Sequence, residues 1–308
     1  MKIIDLHCDT LWKMYNDPNY SIRENDGHIS DIALKKGNYA AQCFAVYQPI
    51  KITGEEGKGF FKTQYNQYCE RILKSPLISS AKSGEEIKEN AEKDIVSAIL
   101  TVENADFLQN DLSGIDALER IGVKFMGLVH NGENCLGYNC SDDRAYSALP
   151  LKPFGKEVIE RLYHTQITAD VSHLGEGGFK DVADISGKPF IASHSGCREI
   201  FDHPRNLWDH QIKSIAESGG VVGTVFYSVF LNGKDHTKIE DIILHISHII
   251  KVGGEDSVAL GTDFDGIECG LFLENASGMT LFAEELIKRF GYSVAEKICF
   301  KNALRVIR

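Results

Sequence analysis

Short apolar runs rich in β-branched residues recur eight times along the chain, at residues 2–9, 39–47, 95–103, 123–130, 167–173, 189–194, 220–227 and 258–263. Runs of this length with few charges read as strands buried on both faces. Between them stand stretches with helical spacing, among them 60–74, 113–121, 154–166, 208–218, 238–252 and 279–290. Strands alternating with helices are βα units, and eight of them predict a closed (β/α)8 TIM-like barrel of the α/β class. A last helical stretch, 293–308, is expected to start at a Ser293 cap with Glu296 three residues on, and to close the barrel from outside. No linker, charge block or short repeat divides the chain, so residues 1–308 read as a single domain. The irregular pieces 16–30, 49–59, 131–150 and 265–278 are each expected to follow a strand, on the barrel face that carries active sites.

Composition narrows the classes without changing this picture. A length of 308 residues suits one α/β barrel, which commonly runs to about 250 residues and beyond. With 43% hydrophobic and 25% charged residues, the chain falls outside the disordered and fibrous classes. A formal net charge of −11 argues against a nucleic-acid or anionic-membrane partner, because both need basic surface. Asp5, His7 and Asp9 interrupt the start of the chain, so no signal peptide is expected, and no apolar stretch approaches the roughly 20 residues of a membrane span. The expected location is cytoplasmic. The eight scattered cysteines contain no C-x-x-C pair and read as reduced thiols.

The chemistry starts in Asp5-Leu6-His7-Cys8-Asp9-Thr10. On a strand, His7 and Asp9 point to one face and Cys8 to the other. Alone, such a pair is more often a buried hydrogen-bonded contact than half of a metal site. The other strand ends change the balance: the third ends in Glu103, the fourth in His130, the fifth in His173, the sixth in His194 and the eighth in Asp263. Buried ionisable groups are disfavoured unless paired or coordinated, so this many at the mouth of one barrel point to a metal site. His7, Asp9, His173 and His194 suffice for one ion, and the two oxygens of Glu103 can bridge to a second. Imidazole and carboxylate ligation without thiolate favours Zn²⁺, with Mn²⁺, Co²⁺ or Fe²⁺ as alternatives. The favoured form is a binuclear zinc centre, its ions about 3.5–4 Å apart around a bridging hydroxide, which points to hydrolysis.

Two further stretches carry candidate roles. In His203-Pro204-Arg205-Asn206, Arg205 can grip a substrate carboxylate through a bidentate fork, the plainer alternative being an ion pair with Asp202 or Asp209. In Gly261-Thr262-Asp263-Phe264-Asp265-Gly266, one aspartate is expected to ligate or accept a proton and the other to cap the following turn. The remaining histidines carry no expected chemistry. His245 and His248, three apart, read as a solvated helix face, His164 and His210 as helical, and His28, His203 and His236 as loop residues.

Together these residues resemble the renal (membrane) dipeptidase family of zinc peptidases, a branch of the amidohydrolase-like barrels. The resemblance runs through the opening hexapeptide, Glu103, His130 with Asn131 and Asn134, Val171-Ser172-His173-Leu174 and Ser193-His194-Ser195. It continues in His203-Pro204-Arg205-Asn206, the segment from Gly261 to Gly266, and the tail from Gly291-Tyr292-Ser293 through Asn302 to Arg305-Val306. It implies two zinc ions, one on His7 and Asp9, the other on His173 and His194, bridged by Glu103. It further implies Asp263 as proton shuttle, His130 as the group polarising the scissile carbonyl, Arg205 as the clamp on a dipeptide carboxylate, and Tyr227 as pocket wall. Two positions depart from the family pattern: Val225 replaces an Asn, which removes a pocket hydrogen bond, and Phe300 replaces a small residue, which affects packing. The animal enzymes' signal peptide and lipid-anchor tail are not expected here. The function expected is a metal-dependent dipeptidase, with a cyclic-amide, lactone or deaminase activity on the same metals as the alternative. A non-catalytic binding protein would show a lost ligand or a lost acid/base group, and neither is lost. The expected partner is a small dipeptide, with no nucleic acid and no membrane, and a homodimer is the assembly entertained.

Overall fold

Apolar, β-branched segments bury both faces when they stand side by side under a layer of helices, and eight of them do so here. In the computed structural model, which describes residues 1–23 and 25–308, they are β1 (Ile3–Asp5), β2 (Tyr39–Tyr47), β3 (Val96–Glu103), β4 (Val123–Gly127), β5 (Thr168–Asp170), β6 (Ala192–Ser195), β7 (Val222–Thr224) and β8 (Val258–Leu260). Glu24, within the stretch 16–30, lies outside the described residues. Parallel ladders run in chain order from β1 to β5 and from β6 to β8, and β8 pairs with β1. The ring closes between β5 and β6, where Val171 N donates to Ile191 O at 2.8 Å and Ile191 N to Ala169 O at 3.0 Å.

Two apolar layers result. Inside the barrel Ile4, Ala41, Ile99, Phe125, Ile191 and Val221 form one buried cluster with Ala303, Val306 and Ile307 of the C-terminal helix. Outside it, a larger cluster joins the strands to the surrounding helices. The expected helices are present as Gly54–Gln67, Ser113–Ile121, Pro153–Tyr163, Asp209–Glu217, Ile239–Gly253 and Met279–Phe290.

Apart from β2, the strands are shorter than the apolar runs. Five ladders stop two or three residues before the first candidate side chain: Asp5 before His7, Gly127 before His130, Asp170 before His173, Thr224 before Tyr227 and Leu260 before Asp263. At the mouth the chain must leave its ladder to aim a side chain at the barrel axis, and His173 (φ 68°) and Asp263 (φ 65°) do so in the left-handed region. Other corrections are local. The stretch 16–30 follows a helix, Thr10–Asn16, rather than a strand; Ile78–Ser80 adds a short strand beside β3; and His236 lies in a two-residue strand pair with Gly270–Leu271. The C-terminal helix, Tyr292–Glu296 continuing through a π turn to Val306, begins at Gly291 and has no Ser293 cap. Only Gly291 separates it from the helix ending at Phe290, so its N–H caps one helix (to Ile287 O, 2.9 Å) and its carbonyl starts the next (from Ala295 N, 3.1 Å). Among the described residues no helix is long and apolar enough to cross a membrane.

Candidate metal centre

The ladder order brings β1, β3, β5, β6 and β8 around one mouth, and their ends converge. His7 Nε2 lies 3.3 Å from Asp9 Oδ2, 3.7 Å from Glu103 Oε2 and 3.8 Å from Asp263 Oδ1. Across the pocket, Glu103 Oε1 lies 2.9 Å from His173 Nε2 and 3.5 Å from His194 Nε2, and the two Nε2 atoms are 3.0 Å apart. All six residues are buried. Their donor atoms form three triads, each within 4.8 Å: His7, Asp9 and Glu103; Glu103, His173 and His194; and His7, His194 and Asp263. Glu103 belongs to the first two, one oxygen turned to each.

Groups behind the site aim these side chains. His173 Nδ1 lies 2.9 Å from Asn131 Oδ1, and His194 Nδ1 lies 2.9 Å from Ser193 Oγ, which leaves both Nε2 atoms facing the pocket. Asp5 ties β1 to the end of β8, accepting from Thr262 N at 2.9 Å and Thr262 Oγ1 at 2.6 Å. Instead of capping the following turn, Asp265 accepts from Thr10 Oγ1 at 2.7 Å and His28 N at 2.7 Å, while Asp263 faces the pocket. Gly266 is required by close approach, since a Cβ there would lie 2.1 Å from Asp9 Oδ2 and 2.8 Å from Asp263 Oδ1. Cys8 is buried with the outer apolar core and belongs to none of the triads, so it turns away from the ligands as its register predicts.

The donor set fits a divalent cation. Burial holds His173 and His194 well below the usual imidazole range, so each presents a neutral ring with a lone pair. Burial, reinforced by Asp9, pushes the carboxyls of Glu103 and Asp263 up to about 8. Burial opposes a charge on His7, but Glu103 and Asp9, with Asp263, raise it to about 10. Acidic oxygens this close together in a buried pocket repel unless positive charge stands among them, and imidazoles, carboxylates and no thiolate are the ligand types of zinc-like ions.

The pocket above these groups holds about 300 Å³ and is walled by Trp12, Tyr47, His130, Tyr227 and Phe230. His130 joins no ligand triad; its ring stands 4.7 Å from Tyr47 and 4.4 Å from His173 between centroids, and burial lowers it to about 4. Arg205 lies beside the pocket rather than on its wall, 6% exposed, with Nη2 donating to His194 O at 3.2 Å and the guanidinium 5.2 Å from the Phe230 ring. Neither aspartate partner expected for it is free: Asp202 pairs with Arg198 at 2.7 Å and Asp209 with His248 at 2.6 Å. Its Nε is a buried donor with no partner among the described residues. Val225 is buried in the apolar core and adds no polar group to the pocket, and Phe300 packs against the barrel floor.

The solvated face expected for His245 and His248 is overturned. Helix Ile239–Gly253 packs on Asp209–Glu217, so this face is covered. His245 is fully buried, accepting from Cys197 N at 2.9 Å and donating to Leu231 O at 3.1 Å, and His248 bonds Asp209. Sequence reasoning also missed parts of the site. Trp12, Tyr47 and Phe230 lie in helical or apolar segments with no chemical signal. Asn131 directly follows His130, and nothing in its residue type signals its contact with His173.

Over residues 1–308 the chain matches the family described as membrane dipeptidase, peptidase family M19. It is 32% identical over 235 residues to a Klebsiella pneumoniae protein described as "Uncharacterized protein in pqqA 5'region", a match covering 73% of this chain and 86% of that one. Among solved structures it resembles a metallopeptidase from Rhodobacter sphaeroides liganded with a phosphinate mimic of the dipeptide L-Ala-D-Ala, with a TM-score of 0.91 at 23% identity over 100% of this chain and 98% of that one. It also resembles dipeptidase AC, a metallopeptidase of family M19, with a TM-score of 0.93 at 24% identity over 100% and 98% of the two chains. At these identities the two structures speak for the fold.

Proposed function

The chain belongs to the membrane dipeptidase family, peptidase family M19, and on that premise we propose that it hydrolyses the peptide bond of small dipeptides at a two-zinc centre. The observation that carries this reading is the pair of ligand triads sharing Glu103, with Oε2 turned to His7 and Oε1 to His173 and His194. In it His7 and Asp9 would hold one ion and His173 and His194 the other, with Glu103 within reach of both. Divalent ions bound there would supply a nucleophile from water at neutral pH and positive charge for the scissile carbonyl.

The chain's own residues do the rest. Asp263, 3.8 Å from His7 Nε2 and in one triad with His194, takes the proton released on attack and returns it to the departing amine. His130, neutral and on the pocket wall, donates an N–H to the oxyanion that develops on the carbonyl. Arg205 is a buried cation that lacks a carboxylate partner, and the free C-terminal carboxylate of a dipeptide supplies one. Tyr227 forms part of the pocket wall. A cyclic amide, lactone or amine substrate would leave that guanidinium unpaired, which favours the dipeptide.

The test is a metal assay of the purified protein joined to a screen of L,L- and L,D-dipeptides. Hydrolysis that stops with chelator and returns with Zn²⁺ is expected. A protein carrying two metals per chain that cleaves no dipeptide would overturn the reading.

A further inference from the structure

His173 and His194 present the same atom to the pocket but have different groups behind them. Behind His173 stands a neutral amide, Asn131. Behind His194 stands a chain ending in a carboxylate: Nδ1 lies 2.9 Å from Ser193 Oγ, and the Ser193 hydroxyl donates to Asp170 Oδ2. Asp170, buried at the end of β5, uses its other oxygen to accept from the backbone N–H groups of Ser172 (3.0 Å) and Ser193 (2.9 Å). Ser172 Oγ accepts from His194 N at 3.2 Å and lies 3.3 Å from Ser193 Oγ.

These contacts dictate where the protons lie. A carboxylate only accepts, so the Ser193 proton points at Asp170 and the serine's lone pairs face His194. The proton between Ser193 and the ring therefore sits on Nδ1, and the lone pair is left on Nε2. We propose that Asp170 and Ser193 are positioning residues that hold His194 in the tautomer able to ligate a divalent ion and make it a stronger donor to the ion beside Glu103 and His173. This inference rests on the reading of His194 as a metal ligand.

Asp170→Asn is the sharpest probe. The carboxamide must keep its oxygen on the two backbone N–H groups, so its NH₂ faces Ser193 Oγ. The serine proton then turns to Nδ1, and the imidazole proton moves to Nε2, where it opposes ligation. Ser193→Ala only removes the partner, and Ser193→Thr keeps the hydroxyl. The experiment titrates the zinc-loaded full chain and each variant with a chelator, reading Zn²⁺ released per chain against free Zn²⁺, with circular dichroism reporting the fold. One of the two ions is expected to leave at about 10–100-fold higher free Zn²⁺ in Asp170→Asn, and at a smaller increase in Ser193→Ala. The other ion should leave as in the parent, and Ser193→Thr should hold both like the parent.

Parental release from folded Asp170→Asn, or a larger loss in Ser193→Ala than in Asp170→Asn, overturns the relay. If Asp170→Asn does not fold, the serine pair decides: zinc loss in Ser193→Ala restored in Ser193→Thr supports the relay, and equal release from both overturns it. A His194→Ala chain that keeps both ions at parental affinity would overturn the ligand reading itself, which separates the two failures.

Discussion

The floor and the mouth of the barrel solve burial in opposite ways. At the floor Ile4, Ile99, Phe125, Ile191 and Val221 meet Val306 and Ile307 of the closing helix, and apolar contact is the whole of the interaction. The cations there are satisfied by backbone: Lys188 Nζ donates to Thr165 O at 2.9 Å and Ile167 O at 2.8 Å, and Lys124 Nζ donates to Arg308 O. At the mouth His7, Asp9, Glu103, His173, His194 and Asp263 are also buried but face one another. Two of the six, His173 and Asp263, also take left-handed backbone conformations that cost of order 1–3 kcal/mol each. The floor stabilises the fold, and the mouth draws on that stability to hold buried imidazoles, carboxyls and strained residues close together.

This contrast can be broken at either end. The largest effect is expected for Asp263→Asn, which should keep two metals per chain and lose about 10²–10⁴-fold in turnover, measured as kcat on a dipeptide. Turnover at the parent rate would remove the proton-transfer role. At the floor, Phe125→Ala should lower the unfolding free energy by about 3–5 kcal/mol in urea titrations while leaving the metal content unchanged. An unchanged midpoint would deny the floor its stabilising part. Arg205→Ala should raise KM by roughly ten- to a hundredfold with kcat nearly retained, because a charge-assisted pair made by substrate and transition state alike is lost. A KM equal to the parent's would sink the carboxylate clamp. The smallest effect belongs to His248, paired with the half-exposed Asp209: His248→Ala should cost under about 1 kcal/mol by the same titration and leave kcat/KM unchanged.

The barrel could be read from the chain because its strands are apolar runs at regular spacing, and that signal survives small errors of boundary. The boundaries themselves could not, since the point where Asp170 or Leu260 leaves its ladder is set by neighbouring strands and by the turn that aims the next side chain into the mouth. The His245 and His248 face shows the same limit. Spacing three apart on a helix says that two side chains share a side, but the packing of Asp209–Glu217 against it makes that side interior. Ser293 likewise looked like a cap, and lost that place because the preceding helix runs to Phe290 and leaves only Gly291 between them.

By itself the sequence determined which chemistries meet at the mouth. Residue type and position at a strand end are local facts, and a closed parallel barrel sends every strand's C-terminal end to the same face. Tertiary structure alone decided how those groups face one another. That Glu103 turns one oxygen to His7 and the other to His173, that Arg205 is left without a carboxylate, and that Asp170 stands behind His194 while Asn131 stands behind His173 are relations between strands distant in sequence. Hydrogen bonds and ligand fields act over a few ångströms, and only the folded chain brings those atoms within that range.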